Sequence, residues 1–246
     1  PNPIAFAEAS PWGSDELLVG VAGYTDSGGI LQCLDRTTGQ VRWSVRPDVE
    51  AVVRAFGEDH VLSANFGCNR VLPVDFAGDD DPEVLAVFIH AKYFPTCLCT
   101  IDRDGNLLAQ YAHRGHLKDT VTYDLDGDGR EEVLAVGTNN AAAYQGATAL
   151  VLDERHRHGA SVDELSDPAT SEPDSALFRV VLPMFPRPWA DHMPHRRLHG
   201  HLPQIFSGES GETIISLVVG RDTDHQLLVY LDTDLHPLRA DVTDGF

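Results

Sequence analysis

Asp124, Asp126 and Asp128 alternate along the stretch YDLDGDGREEVLAVG (residues 123–137), and Glu132 follows before the sequence turns apolar. A backbone wrapping around a point aims such alternating carboxylates inward. Hard oxygen donors in this number suit Ca²⁺, which accepts six to eight ligands at flexible angles. Gly127 removes side-chain bulk between ligands, and Gly129 permits the sharp turn after the third. Arg130, at position seven, would offer its backbone carbonyl, and Glu132, at position nine, would close the shell. Mg²⁺ demands a stricter octahedron, and softer metals call for His or Cys. Without a cation, carboxylates this close repel one another and raise each other's pKa. The EF-hand shares the Asp-x-Asp-x-Asp-Gly opening but needs a bidentate Glu at position twelve inside a helix. Position twelve here is Ala135, within the strand-like EVLAV, so the loop joins two strands. The competing reading is an acidic, solvated turn.

The motif has a partner 49 residues upstream. DFAGDDDPEVLAV (75–87) and DLDGDGREEVLAV (124–136) align without a gap, with eight of thirteen positions identical. In the earlier copy Ala77 stands in place of Asp126 and Asp80 in place of Gly129. Asp75, Asp79, Asp81 and Glu83 remain there as weaker metal candidates. Two outer copies, EASPWGSDE and IFSGESGE, lack the ligand set and keep only the expected fold.

The pattern Asp-x-Asp-Gly-Asp-Gly-x-x-Glu followed by VLAVG resembles the FG-GAP/VCBS-type repeats of integrin-α-like β-propellers. The match is close over 123–137, partial over 74–88 and only periodic elsewhere. The resemblance implies calcium in a β-hairpin loop, with Asp124, Asp126, Asp128, Glu132 and the Arg130 carbonyl as ligands. More loosely, CLDRTTGQVRW looks like the Asp-x-x-x-Gly-x-x-x-Trp hairpin of quinoprotein-type propeller blades. That likeness implies that Trp43 and Tyr111 dock one blade on the next, and it implies no quinone cofactor.

The elements that must position these residues read as strands. Around each of four apolar bursts the same order recurs: a leading strand, a turn, the burst, a strand ending in Asp, and a final strand. ILQCLDRTTGQVRW and CLCTIDRDGNLLAQY read as strand, tight turn and strand, with Gly39 and Gly105 at the turns. At most, residues 48–59 form a short helix. The expected fold is all-β and β-propeller-like, with about four four-stranded antiparallel blades, as a small closed ring or an arc of a larger propeller. The chain 1–246 is read as a single domain with units at about 4–46, 71–113, 118–185 and 201–242. Insertions fall at 47–70 and 155–200, and long insertions in repeat proteins tend to project from one face.

Other polar residues give weaker ligand candidates. His192, His195 and His199, with His201 close by, crowd a Pro- and Arg-rich segment without a standard zinc spacing or an HExxH helix. They are read as an exposed loop, a protein- or anion-binding surface, or a metal site. Asn139 and Asn140 leave the burst strand after the acidic loop, where amides either form a turn or bond ligand hydroxyls, as a glycan site needs. His90 reads as packed or capping. No nucleophile elbow, P-loop or dinucleotide-binding glycine motif occurs, so no residue is assigned a catalytic role.

Composition narrows the partners. With 38 Asp plus Glu against 18 Lys plus Arg, the net charge of −20 repels phosphate backbones and anionic membranes. Lys92 and Lys118 are the only lysines, which also fits a salt-adapted or GC-rich source. No apolar run approaches the roughly 18 residues of a membrane span. Cys33, Cys68, Cys97 and Cys99 lack a CxxC spacing and read as buried free thiols, with a disulfide through Cys68 or Cys33 as the alternative. The opening PNPIAFAEAS reads as that of a processed chain or an excised domain.

The reading that joins these features is a non-catalytic, calcium-stabilised binding module, part of a larger protein and recognising a protein or glycan ligand. Millimolar extracellular calcium favours an extracytoplasmic location. The rivals are a propeller-fold hydrolase or lyase with its histidines in 155–200, and an intracellular sensory or scaffold domain.

Overall fold

Each of the four apolar bursts becomes the second strand of an antiparallel sheet. The computed structural model describes residues 4–22, 29–57, 65–90, 95–140, 146–161, 178–182, 199–220 and 225–244. The first sheet runs β1 (Ile4–Ala9), β2 (Glu16–Ala22), β3 (Ile30–Asp35) and β4 (Val41–Val45), in that order. The second runs β5 (Phe66–Val74), β6 (Glu83–His90), β7 (Thr96–Ile101) and β8 (Leu107–His113). The third joins β9 (Leu117–Tyr123), β10 (Glu132–Asn139), β11 (Gly146–Leu152) and β13 (Phe178–Leu182). The fourth runs β14 (His199–Ser207), β15 (Thr213–Gly220), β16 (His225–Leu231) and β17 (Pro237–Asp244). These are propeller-like, four-stranded antiparallel blades in an all-β protein.

Three details differ from the sequence expectation. The second sheet has a fifth strand, β12 (Gly159–Ala160), which pairs parallel with β8 through Gly159–Tyr111 and Ala160–Ala112. Two residues leave no periodicity to read. The leading strand of that sheet also starts at Phe66 rather than at residue 71. The reason is a register shift between Cys68 and Arg70, which puts Asn69 and Arg70 side by side on the exposed surface and breaks the alternation. Finally, β14 begins at His199, inside the stretch read as an insertion.

One short helix interrupts the described strands. In α1 (Val49–Phe56) the Asp48 carboxylate caps the first turn by accepting from Ala51 N at 3.0 Å, and Gly57 closes the last by donating to Val53 O. The helix buries Val52 and Phe56.

By contact the chain divides into two units, Pro1–Arg114 with Arg157–Ser161, and Gly115–His156 with Val162–Phe246. In the first unit Leu18, Leu31, Phe66, Phe88, Ile101 and the four cysteines build one core with the inner face of α1. Strand β3 alternates, burying Leu31 and Cys33, whereas every residue of β7 is buried. The cysteines are free thiols, so the disulfide alternative falls. In the second unit Leu134, Val136, Ala149 and Val151 pack with Ile215, Leu217, Val229 and Leu231.

An Asp at the end of the third strand of each sheet, or directly after it, has a structural job. Asp35 Oδ1 accepts from Thr37 N and Thr38 N, and Asp102 Oδ1 accepts from Asp104 N and Asn106 N. Asp153 Oδ1 accepts from Arg155 N and His156 N, and Asp232 Oδ1 from His236 N. In all four the carboxylate satisfies turn N–H groups that no strand can pair. Trp43 extends from the first of these hairpins and donates its indole N–H to Arg103 O in the second, at 2.9 Å. Its ring lies over Gly105 and edge-on to Trp12. Tyr111 is fully buried in β8.

Candidate metal centre

The loop between β9 and β10 is organised by its first carboxylate. Asp124 Oδ1 accepts from Gly127 N at 2.8 Å and Asp128 N at 3.0 Å, and its Oδ2 accepts from Gly129 N at 3.0 Å. Asp126 Oδ1 accepts from Asp128 N, and Asp128 Oδ1 from Arg130 N. These bonds wind the chain tightly, and Gly129 takes φ 88°, which only glycine adopts readily. As a result Asp124, Asp126 and Asp128 each present a ligand atom within 4.8 Å of the others. Asp126 and Asp128 are exposed and Asp124 half-buried, so the concentration of charge faces solvent.

Glu132 lies at the base of this loop. It pairs with Tyr123 across the two strands and is 5 % exposed, and its Oε2 accepts the Leu125 N–H at 2.7 Å. Burial pushes its carboxyl up to about 7. The Leu125 N–H works against that rise, while the charges of Asp126, Asp128 and Asp124 add to it. Among the described residues no basic side chain is paired with Glu132. The Arg130 guanidinium is turned to Glu154, 2.6 Å away, which leaves its carbonyl as its possible contribution to a site. Asp124, Asp126 and Asp128 make a hard-oxygen donor set that fits a divalent cation by chemistry, while Glu132, buried at the base of the loop, is not among the converging ligand atoms.

The earlier copy is arranged differently. Asp75 takes the organising role, accepting from Gly78 N, Asp79 N and Asp80 N, and Asp79 accepts from Asp81 N. Asp80, in the place of Gly129, is forced to φ 64°. Asp75, Asp79, Asp81 and Glu83 do not form a group of converging ligand atoms like that of the later loop. Here Glu83 is paired with Arg157 Nη1 at 3.0 Å, and that guanidinium lies over the Phe76 ring.

A second group escaped the sequence reading: Asp232, Asp234 and His236 also bring ligand atoms within 4.8 Å of one another. The D-x-D-x-H spacing in LDTDLHP is its signal. Asp232 is engaged by the turn itself, through His236 N at 2.8 Å and His236 Nδ1 at 3.3 Å.

Of the remaining candidates, Asn139 is fully buried at the end of β10, and Asn140 after it is half-buried. His192 and His195 lie outside the described residues, as does the His199 side chain. His201, on β14, faces Asp119 at 3.7 Å. His90 packs edge-on against Phe66. A groove of about 490 Å³ between α1 and β8 is lined by Asp48, Arg54, Leu108, Gln110 and His158. Among the described residues no helix is long and apolar enough to cross a membrane.

Fold and site together define an all-β protein of propeller-like blades with, among the described residues, two acidic groups that could hold a metal ion. No protein-family model matches the chain, and no curated protein matches it in sequence. Solved structures do match in fold. The V. cholerae biofilm matrix protein Bap1 superposes over 99 % of this chain and 29 % of its own, at 12 % identity and a TM-score of 0.50. A Bacteroides caccae protein of unknown function aligns over 92 % and 57 %, at 16 % identity and a TM-score of 0.41. The Dos1 propeller aligns over 95 % and 47 %, at 13 % identity and a TM-score of 0.48. The chain thus spans less than two thirds of each of these neighbours.

Proposed function

We propose that the chain is a calcium-stabilised, non-catalytic binding module of propeller-like blades. The observation that carries this reading is the convergence of Asp124, Asp126 and Asp128, with Glu132 buried at the base of the same loop and without a basic partner among the described residues. Ca²⁺ fits the set because it accepts carboxylate and carbonyl oxygens at flexible angles, with the Arg130 carbonyl completing the protein's share. The cation offsets the repulsion within the loop and orders the β9–β10 hairpin. It stabilises a sheet, and no reaction passes through it.

The module is read as part of a larger protein, recognising a protein or glycan ligand. A net charge of −20 favours cationic or neutral ligands over nucleic acid. Asn140, after the end of β10 away from the acidic loop, offers an amide for hydroxyl groups. The fold shared with a biofilm matrix protein accords with a binding role and adds nothing about the ligand.

The test is a thermal melt in EDTA against a Ca²⁺ titration, with Mg²⁺ as control and Asp126→Ala alongside. A saturable rise with Ca²⁺, absent in the variant, supports the site. A ligand bound only by the folded state adds about 2.7 kcal/mol at 100-fold excess over Kd. An unresponsive wild type reduces the loop to an acidic turn.

A further inference from the structure

Every described sheet opens its second strand on or beside a glutamate, and the fate of that glutamate differs from sheet to sheet. Glu16 opens β2, Glu83 opens β6 and Glu132 opens β10, while Glu212 immediately precedes β15. Glu212 is exposed, so water solvates it. The other three are withdrawn from solvent: Glu16 is 6 % exposed, Glu132 is 5 % exposed and the Glu83 side chain 14 % exposed.

A carboxylate so far out of water needs a counter-charge. Glu16 has one in Arg42 Nη1, and Ser10 Oγ donates to its other oxygen at 3.0 Å. The same guanidinium reaches Asp15 and Asp35, each at 3.0 Å. Glu83 has one in Arg157, which is itself 15 % exposed and lies over the Phe76 ring. The backbone contact made by the glutamate is common to the two acidic loops: Phe76 N donates to Glu83 Oε2 at 3.4 Å, as Leu125 N does to Glu132 Oε2 at 2.7 Å. What changes between them is the cation.

We infer that Arg42 and Arg157 are built-in replacements for a metal ion, so that the hairpins of the first two sheets are closed by the protein's own charge. The hairpin carrying Glu132 is then the one among these three that depends on a dissociable cation. The part concerning the arginines stands without the calcium reading; the contrast with Glu132 rests on it. Arg157 achieves this from a distant stretch of sequence, beside the β12 strand that pairs with β8. Charge closure and strand addition thus come from the same short segment. In the first sheet Arg42 sits on β4, so there the replacement is local to the blade.

One substitution made at three equivalent positions separates the cases. Gln keeps the shape and the acceptor oxygen of Glu and removes its charge. In EDTA, Glu83→Gln leaves the Arg157 guanidinium uncompensated and raises the unfolding equilibrium constant about tenfold or more in urea denaturation. Glu16→Gln raises it less, because Arg42 keeps Asp15 and Asp35. Glu132→Gln leaves that constant unchanged or lowers it, because it removes an uncompensated charge. The double variant Arg157→Met/Glu83→Gln recovers part of the loss and shows a coupling of about fivefold or more. Equilibrium dialysis with Ca²⁺ gives the same count for wild type and Asp75→Asn/Asp79→Asn.

Equal responses of Glu83→Gln and Glu132→Gln, a coupling below about twofold, or a fall in calcium count in Asp75→Asn/Asp79→Asn would each overturn the inference. Absence of any calcium binding, with the Arg157–Glu83 coupling intact, overturns the calcium reading alone and upholds the arginine assignment.

Discussion

Glu132 Oε2 and the Leu125 backbone N–H meet at 2.7 Å inside the 124–132 loop, and this bond ties a buried carboxylate to the chain that must wrap a cation. It survives when the charge is removed, because a Gln carbonyl oxygen accepts from the same N–H. The first prediction follows from that separation of shape from charge. Glu132→Gln folds with a melting temperature in EDTA equal to or above that of the wild type, and its rise with Ca²⁺ falls to less than half. Scanning calorimetry with and without Ca²⁺ reads both quantities. A variant much less stable in EDTA would show that Glu132 acts mainly through contacts other than its charge.

Metal-free stability should also depend on pH through the same group. Glu132 has an ordinary carboxyl pKa when unfolded and about 7 when folded, so the folded state binds its proton more tightly. Its contribution is therefore most favourable below the unfolded pKa and declines as pH rises toward 7, with no further change above it. In EDTA the melting temperature of the wild type relative to Glu132→Gln should fall between pH 5.5 and pH 8. Saturating Ca²⁺ should flatten that difference. Taking the difference against the variant removes every group the two proteins share. A flat difference in EDTA would place Glu132 in contact with a compensating charge. Asp35 obeys the opposite rule: Thr38 N–H and the Arg42 guanidinium hold its carboxyl down at about 2, so its contribution is lost only as pH falls from 3.8 through that value.

The acidic loop was legible in the sequence because its signal is local. Three alternating Asp, two Gly and an apolar burst specify a wrapped hairpin within fourteen residues, and the 49-residue offset exposed its degenerate copy. The four bursts gave the sheets for the same reason, since a short apolar run bounded by turn residues is read from neighbours along the chain. This holds even where, as in β6 and β10, burial is nearly continuous rather than alternating. What stayed hidden depends on distance. Arg157 and Glu83 are separated by 74 residues, and no local pattern joins them. The start of β5 was masked by its bulge, and β12 is too short to carry a period. Asp35, Asp102, Asp153 and Asp232 were visible as a recurring letter, but their role as acceptors for turn N–H groups required the backbone.

The hairpin contact between Trp43 and Gly105 gives a prediction about blade packing within the first unit. A Cβ at Gly105 would lie 2.5 Å from Trp43 Cγ, and the backbone there holds φ 83°. Gly105→Ala thus adds both a steric clash and a strained conformation, together about 1–3 kcal/mol. Trp43→Phe should cost about 1 kcal/mol for the hydrogen bond to Arg103 O, plus the lost ring area. Urea denaturation measures both. A Gly105→Ala protein as stable as the wild type would mean that Trp43 moves aside freely and does not pin the two hairpins together.

The cysteines offer a test of the first unit's core that needs no metal. Cys33, Cys68, Cys97 and Cys99 are all free and fully buried. Burial pushes the Cys68 thiol up to about 12 and raises those of Cys97, Cys99 and Cys33 as well. A thiol must ionise to attack a disulfide reagent, so neither its protonation state nor its accessibility permits reaction in the folded protein. Ellman's reagent at pH 8 should titrate none of the four in the native protein and all four after denaturation in guanidinium. The native rate should rise in step with the unfolding constant in Gly105→Ala, since exposure then proceeds through opening of this core. A fast-reacting native thiol would mean that the strands over it, those of the first sheet for Cys33 or of the second for Cys68, open independently of global unfolding.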